Sequence, residues 1–374
     1  MKPIKIVTGP EEMAAIGKEL FEQNRDKYGE TRLANMNRFL RERMPEATDA
    51  EIEATRYMSI YNYWVYGCTV EECMNYRFIG KTHEEKLEYM TLRVRHQYMD
   101  RINRREDRHL LANKYESYCL FKDEYKREAM LCRGPEDYPA FREFTTRHPE
   151  FVVKPPDMSG GRGVHKATVA GLDEAAIRSF YDGMLGESDI NRKRYLFKVG
   201  DAMMVEEVID QDERMAAFHP VSVNGVRMNT IRVNGKIHLY QPWFKVGRGG
   251  HFLTSAVFGT LDAGIDVETG VVDTVGMTES GEEWERHPDT GLPILGFQIP
   301  CWDELKEFSV RCAEKLPTLN YVGWDFVLSK RGWCVMEGNY SGDFMWQLCR
   351  KRGMKKEFEE LIGWKLDKQF WWEA

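Results

Sequence analysis

Lys154 ends a short apolar run, Phe151-Val152-Val153, and is followed by Pro155-Pro156 and then Ser159-Gly160-Gly161-Arg162-Gly163-Val164. That order suits a polyphosphate. An ammonium at a strand end is a compact positive charge, and glycines let backbone N–H groups close on phosphate oxygens. The loop has neither the Walker A spacing nor that of a dinucleotide-binding turn. It joins two expected strands, the second over Val164 to Val169. A hairpin tip with no ligand has the same composition. Asp325 and Glu337-Gly338-Asn339 form a second constellation, on two apolar runs that flank Lys330-Arg331-Gly332. A hairpin there puts Asp325 and Glu337 opposite each other or within one residue of register. Glu337 and Asn339, two apart, share a face. Two carboxylates and an amide oxygen are hard ligands of the kind Mg²⁺ shares with substrate phosphates. In an apolar setting they are costly unless a cation is present; satisfied structural carboxylates at strand ends are the alternative.

Two further runs carry less on their own. Glu206, Glu207 and Val208 end another apolar stretch and are followed by Asp210 and Asp212. Backbone groups at such an exit can hydrogen-bond an adenine edge, with a following acid on the ribose. Arg232 alternates with Ile231 and Val233 on an expected strand, and Arg248 lies in Gly247-Arg248-Gly249-Gly250. An arginine in a site of this kind stabilises charge on a transferring phosphoryl group, although a lone strand arginine is usually a surface residue.

The elements that must position these residues change character near Pro149. Residues 10 to about 148 read as mostly helical. Tyr57, Tyr61, Trp64 and Cys68 form one stripe at helical period, with Asp49 after Thr48 as its cap; Leu87, Met90, Val94, Tyr98 and Ile102 form another. The basic run from Arg93 to Arg108 is interleaved with Asp100, Glu106 and Asp107, as in a solvated helix face. From Phe151 onward, short β-rich runs alternate with Gly-rich turns. Asn224-Gly225 and Asn234-Gly235 each predict a hairpin, and Cys301 to Leu316 predicts an amphipathic helix with Leu305, Phe308, Cys312 and Leu316 on one face. The fold class expected is α+β, behind a helical N-terminal region.

The order Lys114, Lys154, Gly-rich loop, Glu206-Glu207-Val208, Arg232, Asp325, Glu337-x-Asn339 resembles the ATP-grasp superfamily. In detail it is similar to the sugar-transfer-associated ATP-grasp branch. The matching stretches include Asn113-Lys114, Asn229-Thr230-Ile231-Arg232, Gly247-Arg248-Gly249-Gly250 and Gly323-Trp324-Asp325, and they run over about residues 109 to 345. The resemblance implies two α+β lobes sandwiching ATP: a helical region to 108, one lobe over 109–205 and a second over 206–374. It implies that Lys114 and Lys154 contact ATP phosphates. Ser159, Gly160, Gly161, Arg162, Gly163 and Val164 would be the loop over the β- and γ-phosphates, and Glu206, Glu207 and Val208 the adenine hinge, with Asp210 or Asp212 near the ribose. Asp325, Glu337 and Asn339 would hold one or two Mg²⁺ ions. Arg232, Lys154 and Arg248 would serve catalysis. The reaction implied is ATP-driven joining of a small-molecule carboxylate to an amine through an acyl phosphate, in polysaccharide or secondary-metabolite synthesis. Two departures stand out: the N-terminal region reads helical where relatives begin with a parallel α/β domain, and His251 to Ser255 replaces the Asp-Asn pair expected after Gly-Arg-Gly-Gly.

Two other activities compete with this one. A kinase of the same superfamily would stop at a phosphorylated product. A glycosyltransferase would use Asp210-Gln211-Asp212 as an acid-x-acid metal motif. Composition narrows the field further. Within 374 residues, 53 Lys+Arg against 60 Asp+Glu leave a net charge of −7, which disfavours broad nucleic-acid binding. Ten Trp, 17 Tyr and 19 Phe argue against a disordered chain. No run approaches the ~18 apolar residues of a membrane span, and no secretory leader is recognisable. The eight cysteines form no Cys-x-x-Cys pair, so free thiols in a reducing cytoplasm are expected.

Overall fold

The computed structural model describes residues 4–158, 160–195, 202–254, 259–342 and 345–366. The chain divides into two compact units, one built from residues 1–102, 279–282 and 343–374, the other from 103–278 and 283–342. The division at 102/103 lies near the expected limit of the helical region. The expected first lobe, 109–205, falls in the second unit with most of 206–342, whereas 279–282 and the chain from 343 onward, both within the expected second lobe, group with the first unit.

The first unit is helical: Pro10–Gln23, Glu30–Arg43, Asp49–Tyr66, Val70–Asn75, His83–Leu87, Leu92–Ile102, Trp346–Cys349 and Lys355–Ile362. Three of these helices start with a threonine whose hydroxyl accepts from a backbone N–H three residues on, while the glutamate there accepts from the threonine N–H: Thr48/Glu51, Thr69/Glu72 and Thr82/Glu85. These reciprocal pairs satisfy donors a helix start leaves open. Thr48, rather than Asp49, is therefore the cap. Tyr57, Tyr61 and Trp64 are buried as their spacing predicts. The second stripe is broken, since one helix ends at Leu87 and the next begins at Leu92. Between them Met90 N–H donates to Gln347 Oε1 at 2.8 Å, and the Thr91 hydroxyl donates to Tyr66 O at 2.6 Å. Tertiary bonds there replace helical ones.

The second unit holds two antiparallel sheets. The first has β1 (Ala129–Cys132), β2 (Glu150–Lys154), β3 (His165–Thr168) and β4 (Met203–Glu207), in the order β1-β4-β2-β3. Helices Tyr138–Arg147 and Glu174–Tyr195 cover one face, where Phe151, Val153, Met203 and Val205 pack with Phe141, Phe144, Ile177 and Tyr181. By the two-residue alternation of strands, Lys154 and Glu206 point to the other face.

The second sheet has β5 (Gly225–Val233), β6 (Lys236–Val246), β7 (Leu261–Gly264), β8 (Gly276–Met277), β9 (Glu283–Trp284), β10 (Tyr321–Ser329) and β11 (Gly332–Asn339). Its order is β11-β10-β5-β6-β7-β8-β9. Helix Trp302–Glu314 packs on one face, its Leu305, Phe308 and Cys312 joining Val226, Met228, Phe244, Trp324, Phe326 and Val335 in one core. Asn234-Gly235 turns β5 into β6 with φ of 48° and 81°. Asn224-Gly225 makes no hairpin. Asn224 is buried and its amide donates to Met215 O and His219 O, at 2.9 and 3.0 Å, anchoring the loop before β5. No helix among the described residues is long and apolar enough to cross a membrane.

Candidate active site

On the face of the four-stranded sheet opposite those helices, Lys154 Nζ lies 2.8 Å from Glu206 Oε2, which also receives Arg127 Nη2 at 3.1 Å and Nε at 3.3 Å. Burial pushes the Glu206 carboxyl up, but Arg127 and Lys154 outweigh it and hold the group below the usual carboxylate range. Burial pulls the Lys154 ammonium down, and Glu206 opposes that shift. Arg127 Nη1 donates to Val335 O on β11 at 2.7 Å, so one guanidinium ties the two sheets together. Lys114 starts helix Lys114–Leu120. Its N–H donates to Pro156 O at 2.7 Å and its ammonium to Met158 O, which pins the start of the Gly-rich loop. Gly160, Gly161 and Gly163 have φ near +70°, which L side chains rarely adopt, and Val164 N–H closes the loop on Gly161 O at 3.2 Å. Ser159 lies outside the described residues. Arg162 is half-buried in the loop.

The hinge expectation needs correction. Glu206 pairs with Ala129 on one side and Val152 on the other, so its backbone belongs to the sheet and its side chain to two cations. Glu207 binds Arg331 and accepts from Glu128 N–H at 3.1 Å. The chain leaves the sheet at Val208. Beyond it Asp210 pairs with Lys330 at 3.1 Å, and Asp212 caps helix Glu213–Ala216, accepting from Arg214 N–H at 3.0 Å and from its guanidinium at 2.9 Å. The acid-x-acid pair is thus engaged in local contacts. Asp212 N–H donates to Leu328 O, and Lys330 N–H to Asp210 O, both at 2.9 Å, so this exit segment is laced to the tip of the β10–β11 hairpin.

The face of the seven-stranded sheet opposite helix Trp302–Glu314 carries the second cluster. Asp325 stands directly across from Glu337, and Gly323 from Asn339. Met336 is the extra residue of a bulge that keeps Glu337 on the Asp325 face. Arg227, from β5, grips Asp325 with two bonds, Nε–Oδ1 at 2.7 Å and Nη2–Oδ2 at 3.0 Å, and Lys245 Nζ lies 3.5 Å from Oδ1. Burial pushes the Asp325 carboxyl up; Arg227 and Lys245 outweigh it and hold it below the usual range. The two facing carboxylates and the amide two residues on fit a hard divalent cation, which would share Asp325 with Arg227. Among the described residues no three or more His, Cys, Asp and Glu cluster as a metal site.

Arg232 does not join this cluster. It lies on the helix face of β5, where Nη2 donates to Ala313 O at 2.8 Å, at the end of helix Trp302–Glu314. Arg227, five residues earlier and of opposite parity, is the arginine beside the carboxylates. The signal for it is its pairing with Asp325 across β5 and β10, a register no local pattern reveals. Arg248 lies elsewhere, with Nε donating to Gly259 O at 2.7 Å and its guanidinium 5.9 Å from the Trp284 ring. Its loop is framed from outside: Gly249 N–H donates to Asp289 Oδ2 at 2.7 Å, Gly250 N–H to His219 Nε2 at 3.2 Å, and Gly247 O meets His287 Nε2 at 2.7 Å. Burial lowers the His219 pKa, with Asp289 opposing and His287 and His251 adding. The His251–Ser255 departure lies partly outside the described residues, which stop at Thr254 and resume at Gly259.

The model of the family described as sugar-transfer associated ATP-grasp matches residues 93–362. The chain belongs to that family. Its two antiparallel sheets and flanking helices are thus an ATP-grasp fold, behind a helical N-terminal region. No curated protein matches the chain. Solved structures similar to it include D-alanyl-alanine synthetase A from Vibrio cholerae, at 14% identity and TM-score 0.38, covering 67% of this chain and 60% of that one. A D-Ala:D-Ser ligase from Enterococcus faecalis has 11% identity and TM-score 0.41, with 67% and 61% covered. A D-alanine-D-alanine ligase from Helicobacter pylori has 13% identity and TM-score 0.40, with 71% and 62% covered. The match thus takes in 60–62% of each of these chains.

Proposed function

We propose that this protein is an ATP- and Mg²⁺-dependent ligase that joins a small-molecule carboxylate to an amine and releases ADP and phosphate. The observation that carries the reading is the facing pair Asp325 and Glu337, with Asn339 two residues on and Arg227 and Lys245 on the same sheet face. Phosphoryl transfer is chiefly positioning and charge neutralisation, and this face offers both signs of charge at close range. In this reading Asp325, Glu337 and Asn339 hold Mg²⁺, which when bound neutralises charge on the phosphates. Lys154, Lys114 and the loop from Ser159 to Val164 hold the β- and γ-phosphates. Val208 and the exit segment behind it flank the adenine. Arg227 takes the role expected of Arg232, steadying negative charge as a substrate carboxylate oxygen attacks the γ-phosphorus and ADP leaves. The amine then attacks the acyl carbon and phosphate departs, while Gly160, Gly161 and Gly163 let the loop close and exclude water. The family description names an association with sugar transfer, and the reading extends to synthesis of a polysaccharide or secondary metabolite in the cytoplasm.

The test is to supply candidate acid–amine pairs with ATP and quantify ADP, AMP and phosphate. ADP and phosphate formed together, and only with both acceptors present, are expected. AMP release, or no thermal shift with ATP and Mg²⁺, would sink the reading. A stable phosphorylated product formed without an amine would replace the ligase with a kinase.

A further inference from the structure

The side-chain alternation along β6 changes phase midway. Ile237 and Leu239 lie opposite Arg232 and Thr230, on the face that packs on helix Trp302–Glu314. Phe244 lies opposite Val226 on that same face and, with Val246, belongs to the same core. Between odd-numbered Leu239 and even-numbered Phe244 the strand has gained one residue. The register passes from Asn229↔Tyr240 to Arg227↔Trp243, one step longer on β6 than on β5. Gln241, inside that step, has φ of +39°, a backbone that disfavours any residue but glycine.

Asn229 holds the step in place. Its amide donates to Tyr240 O and to Gln241 O, both at 3.0 Å, and its Oδ1 accepts from the Tyr321 hydroxyl at 2.9 Å. The residue is fully buried. Across the strand pair stands Gly323, where an added Cβ would come within 3.2 Å of Asn229 Oδ1 and 3.1 Å of Arg227 Nη1. Past the bulge, Trp243 and Lys245 share the face of Arg227 and Asp325, with the guanidinium 5.3 Å over the Trp243 ring and Lys245 Nζ 3.5 Å from Asp325. A one-residue slip turns a strand's side chains over. Without the extra residue, Phe244 and Val246 would meet the carboxylates, and Lys245 would enter the apolar core.

We propose that Asn229 is a positioning residue, which clamps the Gln241 bulge so that β6 delivers Trp243 and Lys245 to the Asp325 face. Its catalytic consequence rests on the reading of that face as the metal–phosphate site. The experiment compares amide hydrogen exchange and turnover in the full chain, in Asn229→Leu and in Asn229→Leu/Gln241→Gly. Losing two clamping bonds in Asn229→Leu should speed exchange over residues 243–246 by about tenfold or more. The Mg²⁺ concentration for half-maximal turnover should rise with it. Glycine adopts positive φ freely, so Gln241→Gly should restore most of both. A role in stability alone would lower the melting temperature and leave the Mg²⁺ dependence where it was. Unchanged exchange at 243–246 in Asn229→Leu, or no recovery in the double variant, overturns the proposal. If Asn229→Leu does not fold, Tyr321→Phe removes only the hydroxyl that steadies Asn229, and about threefold faster exchange at the same amides is expected; no change there overturns it. A wild-type chain with no ATP turnover would defeat the ligase reading, while the exchange comparison still decides the clamp.

Discussion

Each sheet of the second unit contains one carboxylate held by a lysine and an arginine, and the two arrangements differ in enclosure. Glu206 is 6% exposed, with Lys154 at 7% and Arg127 at 2%. Asp325 is 18% exposed, with Arg227 at 5% and Lys245 at 20%, and half-buried Glu337 stands opposite. The closed triad is a joint, because Arg127 also bonds to Val335 O on the neighbouring sheet. The open triad has a second carboxylate and a lysine that reaches solvent, so an added cation or phosphate can enter without unpacking a core. The same three residue types are therefore closed off in one place and reachable from solvent in the other, and under the proposed function only the second exchanges a ligand. Lys154 belongs to both roles: its charge neutralises Glu206 inside the joint while standing at the mouth of the Gly-rich loop.

The comparison breaks most visibly at the joint. Glu206→Gln leaves Arg127 and Lys154 buried without their counter-charge, and removing one partner of a buried pair costs about 3–5 kcal/mol. Chemical denaturation should report a loss of that size, and a loss below about 1 kcal/mol would mean the triad is effectively solvated. The acid side gives a second readout of the same variant. Both carboxyls are held below their ordinary values, so the stability they contribute is complete above about pH 5 and is lost as pH falls through the folded values. The acid limb of the unfolding midpoint should therefore be shallower in Glu206→Gln than in the wild type.

At the open triad the expected loss is in turnover rather than in stability. Glu337→Gln should lower kcat by about 10²–10³ while the melting temperature stays within about 2 °C; unchanged turnover would remove Glu337 from the site. The smallest effect belongs to the misplaced arginine. Arg232→Gln removes one bond to the end of helix Trp302–Glu314, worth about 1 kcal/mol, and should leave kcat and KM as they were. A tenfold fall in kcat with the fold intact would return Arg232 to the chemistry and unseat Arg227.

Much of the site was legible because short patterns carry it. The apolar runs around Lys330-Arg331-Gly332 are long enough to demand a hairpin, which brings Asp325 and Glu337 within one residue of register; the bulge at Met336 then sets them opposite each other. The threonine–glutamate pairs at 48/51, 69/72 and 82/85 start helices through bonds that span three residues. Asn234-Gly235 turned because only hairpin strands flank it, whereas Asn224-Gly225 has the same letters and is drawn into bonds with Met215 and His219. Arg232 and Arg227 look alike in the chain. What separates them is which face each takes once β5 is wedged between β6 and β10, and that depends on partners far along the chain: Ala313, 81 residues from Arg232, and Asp325, 98 residues from Arg227.

The sequence by itself determined the inventory: a lysine before a glycine loop, a paired set of hard ligands, and the hairpin and helices that carry them. Those signals arise from neighbouring residues, where backbone preference and two-residue alternation are enough. Only the tertiary structure decided the placements. It set Glu206 in a buried triad, turned Arg232 toward a helix end, and brought Arg227 to Asp325. A bulge clamped by Asn229 turned Trp243 and Lys245 to the same face. These choices are made by strand register and burial, which are set between segments far apart in the chain, and a shift of one residue reverses them.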